Sequence, residues 1–131
     1  MSSINPSRFP LVAASLFGAI AVVLGAFGAH ALRDVFDEKA LATWHTAVDY
    51  QFWHTLALLA VGLLERTRSS RASRIAAIAF VIGIVLFCGS LYALALGAPR
   101  IVGVITPVGG VAFIAGWIAL AIHAARDAAT Q

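Results

Sequence analysis

Four long apolar stretches occupy most of this 131-residue chain, and each is about as long as a helix that crosses a bilayer. A helix needs ~20 consecutive apolar residues to span the hydrocarbon core. A spanning segment must satisfy its own backbone hydrogen bonds, and the chain lacks the short alternating segments of a membrane barrel. The sequence therefore predicts an all-α polytopic membrane protein. It would be a single four-transmembrane-helix bundle over residues 1–131, with spans at about 9–32, 43–64, 75–97 and 103–123.

The composition excludes a soluble globular domain and disfavours nucleic-acid binding. Hydrophobic residues make up 61% of the chain and charged residues only 11%, whereas soluble domains carry roughly 25% charged residues. The net charge of +3 comes from basic residues that lie between the apolar stretches, as the positive-inside rule explains. We therefore expect the lipid bilayer as a partner and no nucleic acid. The single cysteine, Cys88, excludes an intrachain disulfide.

The connections between the stretches are too short to hold a soluble domain. In the first of them, Asp37 is placed to cap a helix that starts outside the bilayer and continues into the second span. The start of the chain has features of a signal peptide, because Arg8 precedes the first stretch and Ala29-His30-Ala31 resembles a cleavage site. The stretch is longer than a signal core of ~7–15 residues, so we interpret it as a retained span.

The basic residues predict the orientation in the membrane because they are divided unequally between the two ends of the bundle. One end, called the arginine-rich end below, has six: Arg8, Arg66, Arg68, Arg71, Arg74 and Arg126. The opposite end has three: Arg33, Lys39 and Arg100. Cytoplasmic loops carry the excess of Lys and Arg. The sequence thus predicts that the arginine-rich end and both termini are cytoplasmic.

Rows of small residues at every fourth position predict close helix packing. They are Ala21, Gly25 and Ala29 in the first span, Gly89, Ala93 and Gly97 in the third, and Ala112 and Gly116 in the fourth. Such rows let helix backbones approach each other closely. We expect them mainly to pack the bundle itself. Contacts within a homo-oligomer or a larger membrane complex remain the alternative.

The second span carries most of the polar side chains that could do chemistry. His45 and Asp49 share one helix face, and Tyr50 and His54 share another. The two histidines lie on roughly opposite faces and ~13 Å apart along the axis. They therefore cannot bind one metal ion from a straight helix.

Two clusters of polar residues are predicted in the half of the bundle away from the arginine-rich end. A shallow cluster would join His45 and Asp49 to His30 and Arg33, and a deeper one would join Tyr50 and His54 to residues of the later spans. The candidate ligand-binding residues are His30, Asp49, Tyr50, His54, Ser90, Tyr92 and Thr106. The alternative is purely structural: Asp49 pairs near the interface, and His54 bonds to Tyr92, Ser90 or a backbone carbonyl. We expect His123 to face the lipid headgroups.

Several signatures of known enzyme classes are missing from the sequence. It lacks a nucleophile elbow, a phosphate-binding loop, a dinucleotide fingerprint and an H-E-x-x-H motif. A metal or haem site would need His54 to meet His30 or Cys88 across helices, and two ligands leave a tetrahedral site incomplete. We therefore predict no cofactor and no bound metal. A metal- or haem-handling redox protein remains an alternative.

Four ordered blocks resemble the YgdD-like family of small bacterial inner-membrane proteins. The blocks are Gly25–Leu32, Tyr50–Leu59, Leu86–Tyr92, and Thr106–Gly110 followed by Gly116–Trp117. The resemblance implies four spans and a bacterial inner (plasma) membrane location, but no established activity. His54, Ser90 and Tyr92 fall inside these blocks whereas His45 does not, which favours the deeper cluster.

These observations together predict a small, non-enzymatic integral membrane protein. Its polar pocket would bind a small-molecule ligand or a partner helix. The alternatives are a structural or accessory subunit of a larger membrane complex and the redox protein described above.

Overall fold

The computed structural model describes residues 8–129, and within them every regular element is helical. The α-helices are α1 (Phe9–Ala29), α2 (Glu38–Glu65), α3 (Arg71–Gly83), α4 (Gly89–Ala95) and α5 (Ile105–Ala128). A π-helical turn, Ile84–Cys88, joins α3 to α4, and a 3₁₀ turn, Arg100–Val104, leads into α5. Four helical segments are long and apolar enough to cross a membrane: Phe9–Ala29, Glu38–Glu65, Arg71–Ala95 and Arg100–Arg126. The predicted all-α membrane fold is confirmed.

Side-chain caps start two of the helices outside the apolar stretches. Asp37 caps α2 as expected, because its Oδ1 accepts a hydrogen bond of 2.7 Å from the Ala40 N–H. Ser70 and Ser73 form a capping box at the start of α3, each hydroxyl accepting from the other residue's backbone N–H at 3.0 Å. The helices therefore begin before residues 43 and 75, because hydropathy marks the membrane and caps mark the helix start.

Helix α2 and the third span, Arg71–Ala95, form the centre of the bundle. Helix α1 packs on α2, and α5 packs on the third span. In their apolar windows, 44% and 39% of the residues of the central spans are buried, compared with 17% in each outer span. The core combines Leu58 and Val61 of α2 with Phe80 and Ile84 of the third span and Phe113 of α5. Most of the surface of α1 and α5 therefore faces away from the bundle.

Two glycines permit the closest packing between the third span and α5. A Cβ on Gly109 would collide with the backbone of Phe87 in the π-helical turn, and one on Gly83 would collide with the Phe113 ring. Gly116 of the predicted row does pack closely, since its Cβ would lie 2.7 Å from the Phe80 ring. Gly89 has no neighbour within 4 Å of its Cβ position, so this part of the row prediction is wrong.

Candidate polar site within the bundle

A chain of hydrogen bonds connects the first three spans through a buried glutamine. The Tyr92 hydroxyl donates to Gln51 Oε1 at 2.7 Å, and Gln51 Nε2 donates to the Phe17 carbonyl at 2.9 Å. Gln51 is only 2% exposed. Tyr92 is one of the site residues predicted from the sequence. Gln51 is not among them, although it lies between Tyr50 and His54 in the sequence. Both polar atoms of the Gln51 amide are thus used to hold helices together.

A buried tryptophan makes a second connection between α1 and α2. Trp44 Nε1 donates to the Leu24 carbonyl at 2.9 Å. The Trp44 ring also meets the Tyr92 ring edge to face, with centroids 4.7 Å apart. Gly28 makes room for it, because a Cβ there would lie 2.6 Å from the indole. Trp44 therefore packs α1 against α2 and touches the third span.

Ser90 and Thr106, both predicted as site residues, meet each other. Their hydroxyl oxygens are 2.6 Å apart, and Ser90 Oγ also donates to the Phe87 carbonyl at 2.9 Å. Since Ser90 uses its proton on that carbonyl, Thr106 is the donor in the pair. This bond connects the third span to α5.

His54 is buried among aromatic rings. Its Nδ1 donates to the Tyr50 carbonyl at 2.7 Å, and the imidazole stacks on Phe113 with centroids 3.6 Å apart. Tyr50 stacks in turn on Phe87 at 4.5 Å. Of the partners predicted for His54, the one that it bonds to is a backbone carbonyl. The rings of Tyr50, Phe87 and Phe113 thus pack with His54 between the second, third and fourth spans.

The residues of the predicted shallow cluster are all at the surface. His30 ends α1 and is exposed, and Asp49, His45 and Arg33 are exposed as well. The structure therefore groups the predicted site residues unevenly. Tyr50, His54, Ser90, Tyr92 and Thr106 belong to the interhelical contacts, whereas His30 and Asp49 lie outside them.

A polar network at the arginine-rich end was not predicted. Glu65 Oε1 accepts from Ser73 Oγ at 2.7 Å, and Ser70 Oγ lies 2.8 Å from His123 Nδ1. Glu65 is 6% exposed and His123 is 3% exposed, so the prediction that His123 faces the headgroups is wrong. The signal in the sequence was the Ser-x-x-Ser capping motif, which places two hydroxyls beside both groups. The network joins the ends of α2, α3 and α5.

The described part of the chain contains no obvious metal-binding set. Among residues 8–129, no three His, Cys, Asp or Glu side chains are close enough together to hold an ion. The buried Nε2 of His123 and the buried hydroxyl of Thr55 have no hydrogen-bond partner within these residues. Among the buried side-chain nitrogen and oxygen atoms of residues 8–129, these two are therefore the ones without a hydrogen bond.

Comparison with known proteins identifies the family. Residues 24–110 match the model of a family described as a protein of unknown function, DUF423. The chain belongs to this family. It is 46% identical over 112 residues to a UPF0382 membrane protein of Staphylococcus saprophyticus, covering 86% of this chain and 92% of that protein. It is 42% identical over 120 residues to the UPF0382 inner membrane protein YgdD of Escherichia coli K12, covering 92% of each.

The comparisons place the chain among membrane proteins without assigning an activity. A UPF0382 membrane protein of Haemophilus influenzae is 45% identical over 111 residues, covering 85% of this chain and 89% of that protein. No solved structure matches the chain. The resemblance to the YgdD-like family is confirmed, and the protein is an integral membrane protein of an uncharacterised family.

Proposed function

We propose that this protein is a non-enzymatic accessory subunit that holds a transmembrane helix of another membrane protein in a groove between α1 and α2. The observation that carries the proposal is the internal pairing of the polar groups in the spans. Gln51 bonds to Tyr92 and Phe17, and Ser90 bonds to Thr106. Because these polar groups hydrogen-bond to one another, they stabilise the bundle. We therefore expect a partner protein to bind at the outer surface of the bundle.

The groove has the chemistry of a helix–helix interface. Its volume is about 290 Å³. Helix α1 contributes Ala14, Ser15, Gly18, Ala19 and Val22, and α2 contributes Phe52, Thr55, Leu56 and Leu59. Small residues on α1 let another backbone approach, and the large side chains of α2 offer packing contacts. Because α1 is mostly exposed, the groove is open toward the membrane.

Site-specific photo-crosslinking in native membranes tests this proposal. A benzoylphenylalanine at Leu56, inside the groove, should crosslink to a transmembrane segment of another protein, identified by peptide mapping. Ala19→Leu fills the groove and should abolish this product while leaving the melting temperature unchanged. The same photoprobe at Leu63, an exposed α2 residue outside the groove, is the control. A product of twice the chain mass would indicate a homo-oligomer instead, and no specific product at Leu56 would overturn the proposal.

Binding of a small ligand by the predicted site residues is the competing proposal. The observation that supports it is His54, a buried imidazole surrounded by residues of several spans. If the residue binds a ligand, His54→Gln should lose a co-purifying small molecule while the fold survives. If it only packs the bundle, the same variant should lower thermal stability and change nothing that co-purifies.

We also propose that both termini are cytoplasmic. The arginine-rich end gathers six basic residues against three at the other end, and the positive-inside rule relates that excess to the cytoplasm. Reporter fusions at Lys39 and Ser70 should report the outside and the inside of the cell, respectively. The reverse pattern would refute this orientation.

A further inference from the structure

A second groove, between α3 and α5 at the arginine-rich end, combines an apolar floor with two arginines. Its volume is about 460 Å³. Its apolar lining consists of Ala72, Ile75, Ala115, Ile118, Ala119 and Ile122, and Arg71 and Arg126 complete it. The three isoleucines are exposed on the surface of the bundle. The groove is therefore an amphipathic surface feature and is separate from the α1–α2 groove.

Both charged residues of this groove lie at the same end of it. Arg71 is the first residue of α3, and Arg126 lies in the last turn of α5. From Ala115 to Arg126 the groove extends about 16 Å along α5, at 1.5 Å per residue. Half of a bilayer core is about 15 Å thick. The whole groove, arginines included, thus matches the depth of one leaflet. Its apolar floor extends about 10 Å from Ala115 to Ile122, and the arginines lie where headgroups begin.

A hydrogen bond holds the two arginine-bearing helix ends together. Ser70, the N-cap of α3, is 2.8 Å from Nδ1 of His123, one turn before Arg126 on α5. This bond fixes the start of α3 against the end of α5. The helix ends that carry Arg71 and Arg126 are thus held at a fixed separation, which lowers the entropic cost of binding a ligand between them.

We propose that this groove binds one anionic phospholipid of the leaflet at the arginine-rich end. The guanidinium groups would contact the headgroup phosphate, since arginine binds phosphate through paired, charge-assisted hydrogen bonds. An acyl chain would lie along Ile75, Ala115 and Ile118. Basic pockets between transmembrane helices on the cytoplasmic side are a known form of lipid recognition.

Native mass spectrometry of the full chain in detergent tests the lipid site. Phosphatidylglycerol and phosphatidylcholine with identical acyl chains are titrated separately. We expect a preference for phosphatidylglycerol of about 25-fold, at about fivefold for each arginine near the headgroup. The double variant Arg71→Gln/Arg126→Gln should lose most of this preference. The matched control Arg8→Gln/Arg66→Gln removes the same charge at the same end and should keep it.

A second pair of variants tests the apolar part of the groove. Ala115→Phe fills the floor without changing charge and should displace bound phosphatidylglycerol. Ala121→Phe, at an exposed position of α5 outside the groove, should not. Melting temperatures close to that of the wild type show that each variant is folded.

Several outcomes would overturn the proposal. An equal loss in the two arginine double variants would mean that binding reflects only the general charge of that end. Competition by soluble glycerol phosphate would indicate a site for free phosphate. A dimer that Ala115→Phe dissociates, without lipid bound in the wild type, would indicate that a second copy covers the groove.

Discussion

The close approach of α5 to the π-helical turn gives the sharpest stability prediction. At Gly109 an added Cβ would meet the backbone N and Cα of Phe87, the latter at 2.8 Å. At Gly89 an added Cβ would meet nothing within 4 Å, and the backbone there is α-helical, with φ −59° and ψ −43°. Alanine is favoured over glycine in a helix by about 1 kcal/mol. The two glycines thus allow a matched comparison of one added methyl group.

The expected magnitudes follow from these surroundings. Gly89→Ala should raise the free energy of unfolding by up to about 1 kcal/mol. Gly109→Ala gains the same propensity but forces two backbones apart, and overpacking costs about 1–3 kcal/mol. The propensity contribution cancels in the comparison. Gly109→Ala should therefore be less stable than Gly89→Ala by about 1–3 kcal/mol.

The assay is reversible unfolding in mixed micelles of a mild detergent and dodecyl sulfate. The fluorescence of the three tryptophans follows the transition. Equal stability of the two variants, or a more stable Gly109→Ala, would refute the inferred contact between α5 and the π-helical turn.

Three further predictions concern the polar network and the metal alternative. In a double-mutant cycle, Gln51→Leu and Tyr92→Phe should show a coupling of about 0.6 kcal/mol, the mean for interhelical hydrogen bonds in membranes; additive effects on unfolding would contradict the 2.7 Å bond. Ser70→Ala should lower the free energy of unfolding by about 0.5–2 kcal/mol, measured in the same micelles, because it removes the α3 cap and the bond to His123; an unchanged value would contradict that role. Purified protein should carry no stoichiometric transition metal by elemental analysis, and about one metal per chain that is lost in His54→Gln would establish the redox alternative.

The sequence predicts the fold well because hydropathy and length decide it. A run of about 20 apolar residues has few alternatives to a spanning helix. The cap of α2 at Asp37 could be predicted equally well, since capping depends on local side-chain chemistry. Helix α3 begins before the predicted span because Arg71 and Arg74 are polar although they already belong to the helix.

The hydrogen-bond partners that lie on different helices could not be predicted from the sequence. Tyr92 is 41 positions from its partner Gln51, and no local pattern indicates which helix faces which. The four-residue spacing of Gly89, Ala93 and Gly97 predicts that they share a helix face. The spacing does not say whether that face meets a neighbouring helix, and Gly97 lies beyond the end of α4 with a φ of 96°.

The network at the arginine-rich end was missed because charged residues near span ends usually reach the headgroups. Here the capping box of Ser70 and Ser73 supplies hydroxyls to Glu65 and His123. Both side chains are therefore buried at the bundle end. The depth of a histidine along its span does not by itself predict whether the side chain faces the headgroups or bonds to a neighbouring helix.

We propose that the polar interior of the bundle is structural and that the α1–α2 groove holds a helix of another protein. The most direct measurement is the intact mass of the protein gently extracted from its own membranes, compared between the wild type and Ala19→Leu. We expect the wild type in a complex heavier than the 13.7 kDa chain that contains a second membrane protein, and Ala19→Leu as a folded chain without it. A wild-type chain that is extracted alone, or one carrying a small molecule that is lost in His54→Gln, would show that the groove does not hold a partner helix.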